Sequence, residues 1–310
     1  MMPAMLPMPL RRRCWQSGPA LLLLLVVAGL SWPVPPGFVG ASGVGVQRSG
    51  TALPRFASLT WNWSDKLGEG TFKEAYMGVV EGEGDWNGFE PGQKLVLKFI
   101  KPERYNAGIR ITPADIASQK LAQTYAEKFV QEHRPNRGGE RMDVFFRVGK
   151  LVTSSREQFQ SKRRMISKNE SMLVELPLYG KFEKFNSNTG WSSGVGLLPD
   201  AFSHWTWVVS NGEHLVCDLQ GHRGFPDGVL LGGKRLRRHY YAFSDPAILS
   251  RAGTYGDADL GLQGQARWFR NHVCNGFCRS LGLEGKVPKP QGSQKPCQSH
   301  TVYKPAHPGP

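Results

Sequence analysis

The short stretch HVCNGFC, residues 272–278, gathers three side chains that can bind a metal ion. They are His272, Cys274 and Cys278. Zinc binds imidazole nitrogen and thiolate sulfur, and a structural zinc site takes four such ligands. We expect the fourth ligand to be His204, which stands among aromatic residues in FSHWTW. At this point the alternative stays open that the two cysteines are inert residues of the core.

A second group of residues indicates phosphate chemistry. Lys98 lies inside the apolar run LVLKFI, and a buried ammonium group needs an anion because desolvating it unpaired is costly. A nucleotide phosphate is one candidate, as for the phosphate-binding lysine of kinases, and a structural carboxylate is the other. Gly68 and Gly70, in GEGTFKEAYMG, would let backbone N–H groups approach a phosphate closely. A plain β-turn is the simpler explanation of these two glycines.

Three oxygen-bearing side chains could serve a reaction at that phosphate. Asp218 and Gln220 lie in LVCDLQG, where an apolar strand runs into a glycine. A carboxylate there could orient or deprotonate a hydroxyl nucleophile, and a neighbouring amide oxygen could help to bind Mg²⁺. Asp245, in FSDPAI, supplies a second carboxylate, although Asp-Pro by itself is a common start of a turn.

The composition is that of a globular protein with a mildly basic middle. The chain has 310 residues, of which 40% are hydrophobic, enough to bury the core of one large domain or two small ones. The net charge of +14 falls to +6 once the acid-free ends, residues 1–52 and 286–310, are set aside. A phosphate-bearing ligand suits this charge, whereas a nucleic-acid partner, which we do not expect, would need a stronger basic patch. Five cysteines make a poor disulfide framework.

The two ends of the chain differ from its middle. Residues 1–41 contain the basic stretch Arg11–Arg13 and the apolar run Ala20–Leu30, which is short for a membrane-spanning helix and resembles a signal peptide. If it acts as a signal, we expect the secretory pathway or secretion. The alternatives are an uncleaved anchor, the one case in which we expect membrane contact, or a mistaken translation start before a cytoplasmic protein. Residues 42–57 are predicted to be a linker and 286–310 a disordered basic tail.

Between these ends, residues 58–285 show the mixed pattern of an α+β domain rather than regular βαβ alternation. LVLKFI, MDVFFRVGKLV and MLVELPLYG are predicted strands, and residues 114–133 a helix. The segment WTWVVSNGEHLVCDLQG is predicted to be a β-hairpin with its turn at Asn211-Gly212. The segment from Asp259 to Leu283 is predicted to be a terminal helix with its cap.

Taken in order, eight motifs of this chain resemble those of the alpha-kinase family of atypical protein kinases. They are LVLKFI, MLVELPL, KFEKFNSNTGW, FSHWTW, CDLQG, SDPAILS, YGDADLG and HVCNGFC, and they span roughly residues 58–285. The resemblance implies a two-lobed, protein-kinase-like α+β fold with a C-terminal lobe braced by zinc. It also implies transfer of the γ-phosphate of Mg-ATP to serine or threonine hydroxyls of an unidentified protein substrate.

The resemblance implies roles for the residues already named. Lys98 would grip the ATP phosphates with the glycine-rich turn, and Asp218 would be the catalytic carboxylate on the acceptor hydroxyl. Gln220 and Asp245 would hold Mg²⁺. Glu175, in MLVEL, would sit at the hinge beside adenine. The family's GxAxxG loop near the substrate groove and its structural zinc site match, respectively, Gly256, Ala258 and Gly261, and His204, His272, Cys274 and Cys278.

One departure from the family pattern concerns residues 221–244. Family members usually reach the Asp-Pro pair sooner, and this longer segment carries GGKRLRRHYY. An insertion that displaced Asp245 would weaken metal binding and leave a pseudokinase, which binds a nucleotide or a partner without catalysis. A purely structural zinc module on a secreted scaffold is the other alternative.

Overall fold

The computed structural model describes residues 57–133, 142–154, 158–160, 164–194, 197–224, 230–231, 234–235 and 239–288. The signal-like segment, nearly all of the predicted linker and most of the predicted tail lie outside these residues, as does part of the 221–244 segment. Among the described residues, no helix has both the length and the apolar character needed to cross a bilayer.

Strands and helices are mixed along the described chain. The strands are β1 (Ser58–Glu69), β2 (Lys73–Glu81), β3 (Lys94–Ile100), β4 (Met142–Phe146), β5 (Lys150–Thr153), β6 (Gln158–Gln160), β7 (Arg164–Ile166), β8 (Ser171–Glu175), β9 (Glu183–Lys184), β10 (His214–Cys217), β11 (Gln220–Gly224), β12 (Leu230–Leu231), β13 (Lys234–Arg235), β14 (His239–Phe243) and β15 (Ala247–Ser250). The helices are α1 (Pro102–Asn106), α2 (Pro113–Glu132), α3 (Leu197–Val209), α4 (Gly261–Asn271) and α5 (Gly276–Ser280).

The N-terminal sheet has five strands in the order β1-β2-β3-β8-β5. Its strands alternate in burial, as β2 shows with every second residue buried, because successive side chains point to opposite faces of a sheet. One face packs around Leu59, Trp61, Leu97 and Phe99. In this sheet β3 carries Lys98, and β8 lies beside it with Leu173 opposite Lys98.

Helix α2 begins at a capping box. The Thr112 side chain accepts from the Ala114 backbone, and Asp115 accepts from the Thr112 backbone, so free N–H groups of the first turn find partners. Proline at the first helical position fits because it has no N–H to lose. The buried face of the helix, with Ala122, Ala126 and Phe129, packs against Phe202 of α3 in a second core.

The predicted hairpin at WTWVVSNGEHLVCDLQG is wrong, because its first arm is the end of helix α3. Aromatic and β-branched residues there are typical of a strand, but a helix buried on all sides shows the same apolar run. Every residue from Leu198 to Thr206 is buried. Asn211 and Gly212 do form a turn with positive φ, but it joins α3 to strand β10.

The predicted single terminal helix is also wrong, since it is two helices, α4 and α5, with a break between them. Residue His272 ends α4 with an extended backbone, and the Asn275 side chain caps the N-terminus of α5. The stretch HVCN, residues 272–275, lies in this break. It is therefore held between the end of α4 and the start of α5 rather than within one continuous helix.

A second sheet has four strands in the order β4-β14-β11-β9, while β10 and β15 form a separate antiparallel ladder. Strand β14 belongs to the segment that lengthens the chain before Asp245. It pairs with β11 on one side and, in parallel, with β4 on the other. The end of the insertion is thus built into the sheet, and β14 leads directly into Ser244 and Asp245.

Gly221 of β11 provides a test of this arrangement. Its φ is 153°, and a Cβ there would lie 2.0 Å from the carbonyl oxygen of Ala242. We expect Gly221→Ala to lower the free energy of unfolding by about 3 kcal/mol through strain and forced strand separation. Chemical denaturation would measure it, beside Gly276→Ala, where a Cβ meets nothing within 4 Å. Equal stability of the two variants would contradict the close packing of β11 on β14.

Candidate active site and metal centre

Two carboxylates lie at the same end of the β10–β15 ladder. Asp218 follows β10 and Asp245 precedes β15, and Cys217 is paired with Ala247 across that end. Both aspartates have a left-handed backbone, with φ of 57° and 55°. Non-glycine residues adopt this conformation at a cost of order 1–3 kcal/mol, and such strained residues concentrate at functional sites.

Asp218 is held by a lysine. The Lys184 Nζ lies 2.8 Å from Asp218 Oδ1. Burial raises the pKa of Asp218 above its ordinary range, although Lys184 acts in the opposite direction. A carboxylate of raised pKa that remains a quarter exposed (25%) is suited to accept a proton from a hydroxyl group.

Lys98 finds its anion inside the protein. Its Nζ lies 2.6 Å from Glu175 Oε1 and donates to Ser244 Oγ at 2.6 Å. Ser244 Oγ in turn donates to the same Glu175 oxygen at 2.6 Å. The structural carboxylate that the sequence left as an alternative therefore exists, and the Glu175 side chain is directed to Lys98. The roles of Lys98 at the phosphates and of Glu175 beside adenine stay predictions.

Asp245 is surrounded by positive charge. The Lys73 Nζ lies 2.9 Å from Asp245 Oδ1 and 2.8 Å from Asp115 Oδ1. Burial opposes ionisation of Asp245, but the charges of Lys73, Lys98 and Lys184 outweigh it and hold the pKa of Asp245 well below its usual range. The insertion has therefore left Asp245 in a charged, well-paired position.

Three contributors to this site, Lys73, Asp115 and Lys184, were missed in the sequence. Lys73 looks like an ordinary residue after a turn, and Asp115 like an ordinary helix-capping residue. Only the tertiary fold brings Lys73 to Asp245 and Asp115 to Lys73. A signal was present for Lys184, which lies in the KFEKFNSNTGW motif, but its neighbours in sequence do not reveal Asp218 as its partner.

The remaining predicted nucleotide residues lie around these carboxylates. Gln220 pairs with Lys184 across β11 and β9, and its carbonyl accepts from the backbone of Ser244, the residue before Asp245, at 3.0 Å. Gly70 donates to the carbonyl of Lys73 at 2.8 Å in a tight turn. Gly68 lies at the end of β1, and the space beside its Cα is open.

The predicted substrate loop follows β15 and is closed by one carboxylate. Asp259 accepts from the backbone of Ser250 at 2.8 Å, of Tyr255 at 3.1 Å and of Gly261 at 3.0 Å. It also accepts from Ser250 Oγ at 2.5 Å. Gly256 and Gly261 have φ of 82° and 62°, a conformation that glycine adopts without penalty. The loop from Ser250 to Gly261, which includes Ala258, is therefore fixed where it leaves β15, at the end of the strand opposite to Asp245.

The four predicted metal ligands meet in one cluster. One donor atom from each of His204, His272, Cys274 and Cys278 lies within 4.8 Å of the other three. The Cys274 Sγ is 3.7 Å from His204 Nδ1 and 3.9 Å from His272 Nε2, and Cys278 Sγ is 3.5 Å from His272 Nε2. A tetrahedral zinc ion with ordinary bond lengths places sulfur and nitrogen ligands about 3.6 Å apart, so these residues fit zinc.

The two histidine rings of the cluster are held in a form that can bind a metal ion. His204 is fully buried, and its Nε2 donates to the carbonyl oxygen of Lys286 at 2.6 Å, which leaves Nδ1 free to face Cys274. Such a bond orients a metal-binding imidazole. Burial and the neighbouring His204 lower the pKa of His272 to about 4, so its ring is neutral. Burial raises the pKa of Cys278 to about 11, so a metal ion must displace its proton.

Comparison with known proteins places these features in a family. The alpha-kinase family model matches residues 68–278. The alpha-protein kinase vwkA of Dictyostelium discoideum is 28% identical over 69% of this chain and 30% of its own length. Human eukaryotic elongation factor 2 kinase is 36% identical over 36% of this chain and 13% of its own length. The chain therefore spans less than a third of either relative.

The fold is shared with solved alpha-kinase domains. The alpha-kinase domain of myosin-II heavy chain kinase A in complex with AMP-PNP superposes with a TM-score of 0.57 at 23% identity, covering 75% of this chain and 89% of that one. The predicted α+β fold of alpha-kinase type is confirmed. Because the family match covers most of the described residues, the chain belongs to the alpha-kinase family.

Proposed function

We propose that this protein is an ATP-dependent kinase that transfers the γ-phosphate to serine or threonine hydroxyls of proteins. The observation that carries the proposal is the convergence of charge at one strand end, where Asp218 and Asp245 meet Lys73, Lys98 and Lys184. Phosphoryl transfer is catalysed mainly by positioning and by electrostatic stabilisation, which such a group of charges can supply. The AMP-PNP complex of the related domain supports a nucleotide in the same fold.

In this proposal Lys98 binds the phosphates, and Asp218 orients the acceptor hydroxyl and receives its proton. Gln220 and Asp245 hold Mg²⁺, which would neutralise charge on the phosphates when bound. Lys73 now occupies one Asp245 oxygen at 2.9 Å, so this lysine and the metal ion would share the carboxylate or exchange at it. The main chain near Glu175, at the end of β8, is proposed to meet the adenine.

The basis of the pseudokinase alternative is weaker than the sequence suggested. It rested on displacement of Asp245 by the 221–244 segment. In the fold, β14 pairs on both sides and delivers Asp245 next to Lys73. Asp245 therefore reaches Lys73 without any displacement of β14.

We further propose that the cluster of two histidines and two cysteines holds a structural Zn²⁺. Four protein ligands leave no open coordination position for a substrate. His204 belongs to α3, whereas the other ligands lie at the end of α4, between the helices and in α5. The ion would therefore fasten the last two helices to the helix that leads into β10 and Asp218.

Replacing Asp218 by alanine tests the kinase proposal. We expect phosphate transfer from labelled ATP to a generic basic protein, and to the chain itself, to fall at least about a thousandfold, because the acceptor hydroxyl loses its orienting base. The circular dichroism spectrum should stay unchanged. Wild-type activity in Asp218→Ala would remove Asp218 from the mechanism, and ATP binding without transfer by the wild type would favour a pseudokinase.

The raised pKa of Asp218 predicts the pH dependence of transfer. The carboxylate form is the active one, so the rate should fall as pH drops through the pKa, and burial moves that fall above the ordinary aspartate value of about 4. The measurement is kcat/KM for the acceptor against pH under saturating ATP. A rate that stays constant down to pH 4 in a protein that remains folded would contradict the role of Asp218 as base.

Metal analysis tests the zinc proposal. We expect about one zinc ion per chain, and we expect chelation or Cys274→Ser to release it and lower the melting temperature, because metal binding contributes to folding free energy. Cys217→Ala is the matched control, since Cys217 is buried away from the cluster among Leu215 and Leu249 and should keep the metal. Full metal content in Cys274→Ser would contradict the assignment.

A further inference from the structure

The peptide group that follows Asp218 is held by one short stretch of the chain. The Leu219 N–H donates to the side-chain Oδ1 of Asn186 at 3.0 Å. The Leu219 carbonyl oxygen accepts from the Phe185 N–H at 2.8 Å and from the Asn186 N–H at 3.3 Å. Leu219 and Asn186 are both buried. The backbone of Leu219 is therefore fixed on both sides by residues 185 and 186.

This anchor matters for Asp218 because the backbone there is strained. The φ of Asp218 is 57°, a left-handed conformation that a non-glycine residue keeps only when the surrounding structure enforces it. A peptide group is planar, so the bond that fixes the Leu219 N–H also fixes the rotation ψ of Asp218. The direction in which the Asp218 side chain leaves the main chain thus depends on the contact with Asn186.

The ion pair of Asp218 is a weaker restraint than this buried contact. Lys184 Nζ lies 2.8 Å from Asp218 Oδ1, but the Lys184 side chain is 44% exposed. Exposed ion pairs hold their partners loosely, because water and salt screen the charges and a long side chain loses entropy on pairing. Asn186 is only 1% exposed, so its bond to Leu219 is the rigid support of Asp218.

Asn186 takes its own orientation from helix α3. Its side-chain Nδ2 donates to Asp200 Oδ1 and to Ser203 Oγ, each at 3.1 Å, and both partners are buried residues of α3. Both N–H groups and the carbonyl oxygen of the amide are therefore in use. Ser203 directly precedes His204, one of the predicted metal ligands. Asn186 thus joins this part of α3 to the peptide group after Asp218.

We propose that Asn186 is a positioning residue, which transmits the placement of α3 to Asp218 through Leu219 and so aligns the carboxylate with the acceptor hydroxyl. This inference rests on the proposed kinase function, in which Asp218 is the base. A misplacement of about 1 Å at a reacting group can cost roughly a hundredfold in rate. Asn186 is too deeply buried to touch either reactant, so its loss should lower kcat and leave ATP binding unchanged.

Replacing Asn186 by leucine in the full-length chain tests the proposal. Asn186→Leu removes the bonds of the amide to Leu219, Asp200 and Ser203 and nearly keeps its shape. With labelled ATP and a generic basic protein as acceptor, we expect kcat to fall about a hundredfold. The KM for ATP should stay at the wild-type value. The melting temperature should fall as well, because the buried Leu219 N–H loses its partner.

Thr206→Val is the matched control for that loss of stability. Thr206 is a buried residue of α3, and its Oγ1 accepts from the Val216 N–H of β10 at 3.0 Å. The variant therefore also leaves a buried backbone N–H unpaired between the same helix and the same stretch of chain, but two residues before Asp218. We expect a lower melting temperature with the wild-type kcat.

Exchanging donor and acceptor tests the contact even where Asn186→Leu does not fold. Asn186→Asp keeps an oxygen for the Leu219 N–H but sets a second carboxylate against Asp200, and like charges at this distance repel each other. We expect kcat to fall. Adding Asp200→Asn restores an amide donor opposite that carboxylate, and Ser203 can donate its hydroxyl proton to it. The double variant should therefore regain most of the wild-type kcat.

The other outcomes overturn the inference. Wild-type kcat in Asn186→Leu or Asn186→Asp, or a folded double variant as slow as Asn186→Asp, would show that Asn186 does not position Asp218. Equal losses of kcat in Asn186→Leu and Thr206→Val, or a parallel loss of ATP affinity, would leave Asn186 a structural role only. Absence of transfer by the wild type would overturn the proposed function itself, whereas an active wild type with unaltered variants overturns the positioning role alone.

Discussion

The pairing of two largely buried carboxylates with lysines at the end of the β10–β15 ladder is the constraint on which the rest of the structure depends. Asp218 and Asp245 are taken largely out of water, and a buried charge is tolerated only beside an opposite charge. Their partners come from β2, β3 and β9, which belong to two different sheets. The charges of Asp218 and Asp245 are therefore compensated only when the two sheets lie together beside the β10–β15 ladder, as they do in this fold.

The candidate metal centre is connected to the candidate active site through neighbouring elements of the fold. Helix α3 carries His204 and runs through one turn into β10, which ends at Asp218. At the other side, Asn271, the last residue of α4, donates to the Thr189 carbonyl at 2.8 Å. Two short routes along the chain therefore lead from the cluster towards Asp218. One runs through α3 and β10, and the other runs from Asn271 through residues 184–189, which begin with Lys184.

The sequence predicted best those residues whose chemistry conflicts with their surroundings. Lys98 in an apolar strand and Asp218 at a strand end were recognisable for this reason, and the four predicted metal ligands meet as the resemblance implied. The contributions of Lys73, Asp115 and Lys184 could not be predicted, because each is an ordinary charged residue until the fold supplies its partner. The α3 segment was mistaken for a strand because burial on every side removes the periodicity that distinguishes a helix.

The bond between His204 and the Lys286 carbonyl oxygen has a consequence for where the catalytic unit ends. The family match stops at Cys278, the last predicted ligand, yet the hydrogen bond that orients His204 comes from a residue further along the chain. The Leu283 backbone N–H donates to the carbonyl oxygen of Cys278, and the Lys286 N–H donates to the carbonyl oxygen of Leu283. Residues 279–286 therefore form a short hydrogen-bonded segment, which we call the latch, that leads from the last predicted ligand to the partner of His204. A boundary drawn at the last ligand would keep every metal-binding atom and lose the latch that aims one of them.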